Sequence, residues 1–149
     1  MISLYQRLDD AFKEAMKGRQ AVALSTLRML RSALRHREVE MKRKLTEDEV
    51  QAVIAGQAKQ RREAMAEYSK AGRTDLAHKE EEELGILLSF LPSQLTQEEL
   101  DTEISRIIGE VGATGPKDLG KVMKSVMARV AGRADGKMVQ ELVRRRLTS

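Results

Sequence analysis

The sequence predicts an all-α protein: an N-terminal four-helix region over residues 1–92, then a small three-helix C-terminal domain over residues 93–149. Three observations predict it. Apolar residues recur at helical spacing along nearly the whole chain, and no alternating strand pattern interrupts them. Two stretches, Thr46-Glu47-Asp48-Glu49 and Thr96-Gln97-Glu98-Glu99, read as capping boxes that open helices. The core must be built from Leu, Val, Ile, Met and Ala, because the chain has no Trp, only two Tyr and two Phe. Such side chains suit packed helices. Helix is expected over roughly four-fifths of the chain, far above the usual third.

The first helix is expected over about residues 2–17, where Leu4, Leu8, Ala11, Phe12 and Ala15 share a face, and Gly18 ends it. A long helix follows from about Gln20 to Arg43, with Ala23, Leu27, Leu30, Leu34 and Met41 on one side. The helix after Thr46 carries Val50, Val53, Ile54, Met65 and Tyr68 and stops near Gly72. Thr74-Asp75 starts a fourth, with Leu76, Leu84, Leu87, Leu88 and Leu91 inward, closed by Pro92. Pro92-Ser93-Gln94-Leu95 is the candidate domain boundary. Beyond Thr96, Leu100, Ile104, Ile107, Ile108 and Val111 form the next apolar stripe. Residues 112–116 read as a loop, with Pro116 in a first helical turn, where its missing N–H is harmless. Leu119, Val122, Met123, Val126 and Val130 continue the pattern, and Gly132 is a natural helix terminator. Gly120, at the edge of that stripe beside Met127, reads as a point of close helix approach. Asp135-Gly136 turns the chain into a last helix with Val139, Leu142, Val143 and Leu147.

Composition narrows the function. There is no cysteine, which excludes disulfide and thiolate chemistry. The N-terminal residues lack the apolar run of a signal peptide, and no apolar segment is long enough for a membrane. A soluble cytoplasmic protein with no membrane partner is expected. His36 and His78 lie on different helices without metal-ligand spacing, so no metal site and no cofactor is expected. No phosphate-binding glycine loop and no serine nucleophile motif occurs. The run Glu80-Glu81-Glu82-Glu83 points its carboxylates in different directions and reads as solvated.

The basic residues carry more information. The net charge is only +4, which permits a polyanionic partner without demanding one. Seven Lys or Arg fall among the seventeen residues from Arg28 to Lys44. Arg28, Arg31, Arg35 and Lys42 lie within about 60° of one another on the helix, beside the apolar stripe. Such a stripe can line up on a phosphate backbone. Its plain alternative is a solvated exterior balanced by Glu38, Glu40 and acids of neighbouring helices. Lys59, Arg61 and Arg62 form a lesser cluster. In the C-terminal part, Lys117, Lys121 and Lys124 stand away from the apolar stripe, and Arg133 and Lys137 flank the next turn. Arg144-Arg145-Arg146 sits in the last turn, where it complements the helix dipole. No aromatic interleaves these cations, so stacking on single-stranded bases is not indicated.

Certain runs of the sequence resemble a known family. They are Leu27-Arg28-Met29-Leu30-Arg31-Ser32-Ala33-Leu34, Phe90-Leu91-Pro92-Ser93-Gln94-Leu95 with Glu99-Leu100, Gly112-Ala113, Asp118-Leu119-Gly120-Lys121-Val122-Met123 and Gly132-Arg133-Ala134-Asp135-Gly136. Together they resemble the YqeY family over essentially the whole chain. Residues 93–149 are similar to the tail domain of the GatB subunit of the glutamine-dependent tRNA amidotransferase. In that enzyme the kinase and transamidation centre lies in a separate catalytic domain, and the tail helps hold the tRNA. The resemblance implies an all-helical two-part fold, a tRNA connection and an association with carbon–nitrogen ligase chemistry using glutamine as amido-nitrogen donor. No counterpart of the catalytic domain lies in these 149 residues.

Two readings follow. One is a non-catalytic accessory protein that binds tRNA through the lysine face of the C-terminal unit and the stripe from Arg28 to Lys42. The other is an adaptor docking on an aminoacyl-tRNA synthetase or an amidotransferase. Carbon–nitrogen ligase activity of the chain itself is the distant third.

Overall fold

Serine and threonine side chains start three of the helices in a computed structural model that describes residues 2–130 and 133–148. Ser3 accepts from the Gln6 N–H and opens α1, Leu4–Lys17. Thr46 opens α3, Glu47–Lys70, and Thr96 opens α5, Gln97–Val111. Both threonines form full capping boxes, with Glu49 and Glu99 reaching back to the cap N–H. Each such cap contributes about 1 kcal/mol. The remaining helices are α2, Ala21–Met41; α4, Thr74–Leu88; α6, Leu119–Val130; and α7, Gly136–Thr148. A single 3₁₀ turn, Pro116–Asp118, leads into α6. The described residues contain no strand, so the all-α expectation holds.

The chain divides into two compact units, Met1–Pro92 and Ser93–Ser149. In the first, Leu8, Leu27, Leu30, Val50, Ile54 and Leu87 form a buried core, joined by Leu45 from the α2–α3 connection. In the second, Leu100, Ile104 and Ile107 of α5 pack with Val122 and Val126 of α6 and Val139 and Val143 of α7. Helix ends follow backbone chemistry. Lys42 closes α2 at φ 57° and Gly112 closes α5 at φ 68°, both left-handed. The left-handed conformation strains Lys42 and is native to glycine. Gly132, expected to end α6, lies outside the described residues. Gly120 is not a point of close approach: it is exposed, and a Cβ there would meet nothing within 4 Å. The helix contact at this level is made instead at Gly136, whose Cβ position lies 3.9 Å from Met127 Cε.

Polar groups also tie α1 to α2 and α3 in the first unit. Glu47 of α3 accepts from the Leu4 N–H at 3.0 Å and so caps α1 with a charge from another helix. Tyr5 donates its hydroxyl to Glu38 at 2.9 Å and accepts from the Leu45 N–H at 3.1 Å. Arg43 grips Glu49 with both terminal nitrogens, at 2.7 and 2.9 Å. That pair, with the Thr46 N–H, holds the Glu49 carboxyl down at about 2.

The structure departs from the sequence expectation at Arg61 and the glutamate run. Arg61 is buried, only 6% exposed, and belongs to no surface cluster. Its Nε lies 3.1 Å from Glu83 and 3.5 Å from Glu80, and its Nη2 lies 3.4 Å from the Met29 sulfur of α2. Glu81 and Glu82 are solvated, but Glu83 is buried and Glu80 is partly so. Their helix turns them under α3, because they follow the same stripe as Leu87. Burial, and then the neighbouring Glu83 charge, push the Glu80 carboxyl up.

Two outcomes are expected. Glu49→Gln should lower the melting temperature at neutral pH. The depressed Glu49 pKa stabilises the fold above about pH 4.5 and ceases to do so as pH falls towards about 2, so the variant's deficit should vanish across that window. Thermal melts from pH 7 to pH 2 check this. Arg61→Ala should cost about 3–5 kcal/mol in urea unfolding, because it strands buried carboxylates. Arg61→Met with Glu80→Gln and Glu83→Gln should cost less than the single change.

Candidate nucleic-acid interface

The exposed face of α2 presents Arg28, Arg31, Arg35 and Lys42 to solvent. Arg28, Arg31 and Arg35 line one shallow depression of about 260 Å³ together with Ser32. Two turns of helix bring them together, at the i, i+3 and i+7 spacing of one face. Arg31 lies over the Phe12 ring of α1, 4.5 Å from its centroid, which orders the guanidinium without neutralising it. Lys42 lies two turns beyond Arg35, and both line a second depression of about 250 Å³ with Glu38 and Val39.

The acids nearest in sequence are committed elsewhere. Glu38 pairs with Lys44 at 3.2 Å and accepts from Tyr5; these contacts, the Tyr5 hydrogen bond first, hold its carboxyl below the usual range. Glu40 pairs with His36 and Arg37 at 3.1 and 3.0 Å. Among the described residues, Arg28, Arg31, Arg35 and Lys42 make no salt bridge. A guanidinium without a carboxylate offers its planar donor fork to a phosphate. Glu38 still acts on this face, since the nearby Arg35 charge helps to lower its carboxyl.

The cations of the second unit divide into two groups. Lys117, Lys124 and Lys137 are exposed and make no salt bridge among the described residues. Lys121 is exposed but donates to the Val111 carbonyl at 3.0 Å, satisfying the end of α5 beside Gly112. Arg133 is half-buried and donates from Nε to the Ser93 carbonyl at 2.9 Å, while its own carbonyl accepts from the Leu95 N–H at 2.8 Å. Arg133 thus fastens the segment before α5 onto the loop before α7. Asp118, beside Lys117, accepts from the Thr114 N–H at 2.9 Å, and that bond chiefly holds its carboxyl below the usual range. Sequence spacing locates these cations; it carries no sign of which has a backbone partner.

Chemistry of other kinds finds little material here. His36 pairs with Glu40 and His78 with Glu81, both on exposed helix surfaces. Among the described residues no group of three or more His, Asp or Glu side chains could hold a metal ion, and no helix is long and apolar enough to cross a membrane.

Comparison with known proteins places the chain. It is 27% identical over 79% of its length to "Altered inheritance of mitochondria protein 41, mitochondrial" of Vanderwaltozyma polyspora, and spans 64% of that protein, a little under two thirds. The protein of the same name in Pyrenophora tritici-repentis is 28% identical over 92% of this chain and 79% of its own. A stretch of 58 residues, 36% of the chain, is 38% identical to a glutamyl-tRNA(Gln) amidotransferase subunit of Aeropyrum pernix and covers 9% of that protein. The fungal names correct the cytoplasmic expectation, since proteins similar over most of this chain are mitochondrial by name. That expectation rests on the lack of an apolar run. Segments that direct proteins to mitochondria are amphipathic and basic rather than apolar, so the criterion has no power to separate the compartments. The YqeY family model, described as "Yqey-like protein", matches residues 5–147, and on that match the chain belongs to the YqeY family.

Proposed function

We propose that this chain is a non-catalytic accessory protein of tRNA-dependent amidation that binds tRNA through its exposed basic helix faces. The observation that carries the reading is the 58-residue similarity to the archaeal glutamyl-tRNA(Gln) amidotransferase. The shared stretch is a small fraction of that relative, which suits a borrowed binding module rather than a borrowed reaction centre. The exposed arginines of α2 and the exposed Lys117, Lys124 and Lys137 supply the cations that a phosphate backbone requires. Lys121 and Arg133 are secondary contacts in this reading, because each already serves a backbone carbonyl.

The adaptor reading is favoured by the same similarity, since that relative is by its name one part of an assembled enzyme. The chain would then dock on an amidotransferase or an aminoacyl-tRNA synthetase, and salt would affect its binding weakly. Ligase activity of the chain itself, with glutamine as nitrogen donor, finds no support in the pairing of its histidines with exposed glutamates.

Replacing Arg28, Arg31 and Arg35 by Gln should weaken tRNA binding across sequences and flatten its salt dependence by roughly two to three units, at about 0.7–0.9 per lost phosphate contact. Lys117→Ala, Lys121→Ala and Lys124→Ala together should flatten it less. Filter binding between about 50 and 300 mM salt, which spans the physiological range, measures both. Unchanged affinity in both variants, or no tRNA binding by the parent at low salt, would leave the adaptor reading in front.

The same proposal treats residues 93–149 as a domain that folds without the preceding four helices. Expressed alone, that segment should give a helical circular dichroism spectrum and a cooperative melt. A coil spectrum would show that it depends on residues 1–92.

A further inference from the structure

A groove of about 750 Å³ lies in the first unit between α1 and α4, floored by the start of α2. It exists because the helices are lined there with small residues. Ala11 and Ala15 face it from α1, Ala21 and Ala23 from α2, and Gly85 from α4. Both α1 and α4 lean on α2, but their backbones do not approach each other. A Cβ at Gly85 would find no heavy atom within 4 Å. Arg7 bridges the two helices at one end, donating to the Ser89 carbonyl at 3.0 Å and lying 5.6 Å from the centre of the Phe90 ring. Leu27, Ile86 and Phe90 supply the larger apolar surfaces.

The charge of the groove is unlike that of the chain. The net charge is +4, yet the ionisable residues lining the groove are Glu14 and Glu82. Glu14 rises from the α1 side and Glu82 from the α4 side, and both are exposed. Neither carboxylate makes a salt bridge or hydrogen bond among the described residues, although Glu38, Glu47, Glu49, Glu80 and Glu83 all do or lie against Arg61. An open apolar trough with an unpaired acid on each wall complements a helix that carries a narrow apolar ridge flanked by cations.

We propose that this groove docks an amphipathic helix of a partner protein, one whose apolar ridge is edged by lysine or arginine. The apolar ridge fills the space left by the alanines and Gly85, and the flanking cations pair with Glu14 and Glu82. The proposal does not depend on tRNA binding, which uses cations elsewhere on α2 and in the second unit.

The test uses the full chain and a defined probe, a five-turn Leu/Lys amphipathic peptide of about 18 residues. Amide chemical shifts of the labelled protein are followed on titration. Saturable shifts centred on Ala11, Ala15, Ala23, Gly85 and Ile86 are expected. Gly85→Phe fills the groove and should weaken binding about tenfold or more; it also replaces a helical glycine, so its melting temperature should not fall. Glu14→Gln with Glu82→Gln changes only exposed groups and should weaken binding severalfold, and a Leu/Glu peptide should not bind. Shifts scattered over other exposed acids such as Glu67 and Glu98, or affinity indifferent to both variants, would overturn the proposal. So would self-association of the chain that Gly85→Phe abolishes, which assigns the groove to a second copy. Binding of dodecylamine at these residues, with the peptide excluded, would assign it to a small apolar amine and overturn it equally.

Discussion

Arg61 sits where α2, α3 and α4 meet, and the arrangement of charge in the first unit follows from its burial. A guanidinium that is 6% exposed needs carboxylates beside it. Glu83 and Glu80 answer it from α4, and Met29 of α2 completes its surroundings with a sulfur. Two acids against one base leave the cluster with excess negative charge. The cost falls on Glu80, whose carboxyl is pushed up by burial and by Glu83. The cluster also fixes which way α4 faces: Glu83 and Leu87 turn inward together, one turn apart, while Glu81, Glu82 and Gly85 turn out.

This facing explains two surfaces at once. With Glu80 and Glu83 drawn to Arg61, and Glu38, Glu40 and Glu49 drawn to Lys44, Arg37 and Arg43, Arg28, Arg31 and Arg35 make no salt bridge among the described residues. The outward turn of Glu82 and Gly85 puts one carboxylate and one missing side chain on the wall of the α1–α4 groove. A basic helix face and an acid-edged apolar trough thus coexist in one small unit because its ion pairs are segregated.

Local signals are legible in the sequence and long-range ones are not. The boxes at Thr46 and Thr96 can be read because a cap is completed within four residues. The cap at Ser3 is readable by the same rule, since Gln6 stands three residues on and its N–H bonds to the serine. Arg61 looks like a surface cation because Lys59 and Arg62 flank it; its partners stand on another helix. Lys117 stands in the 3₁₀ turn before α6 and not on the helix where the sequence reading puts it, whereas the exposure of Lys124 follows from helical periodicity. The tie of Lys121 to the Val111 carbonyl does not, because it requires the reversal at Gly112 to bring α6 back past the end of α5. The groove leaves no motif at all: five small residues on three helices are ordinary in each helix and form a trough only when assembled.

The engaged and unengaged cations also rank the two basic faces. A lysine that serves a backbone carbonyl must release it, and leave a helix end unsatisfied, before it can meet a phosphate at full strength. Lys121 carries that penalty, and Arg133 would have to give up its bond to the Ser93 carbonyl; Arg28 and Arg35 serve no backbone carbonyl among the described residues, and Arg31 can stay on Phe12 while offering its edge. Arginine also loses less freedom per bond formed than lysine, because its fork is planar. If both faces contact one polyanion, the α2 face should therefore carry the larger share of the interaction, with the second unit adding reach through Lys117, Lys124 and Lys137.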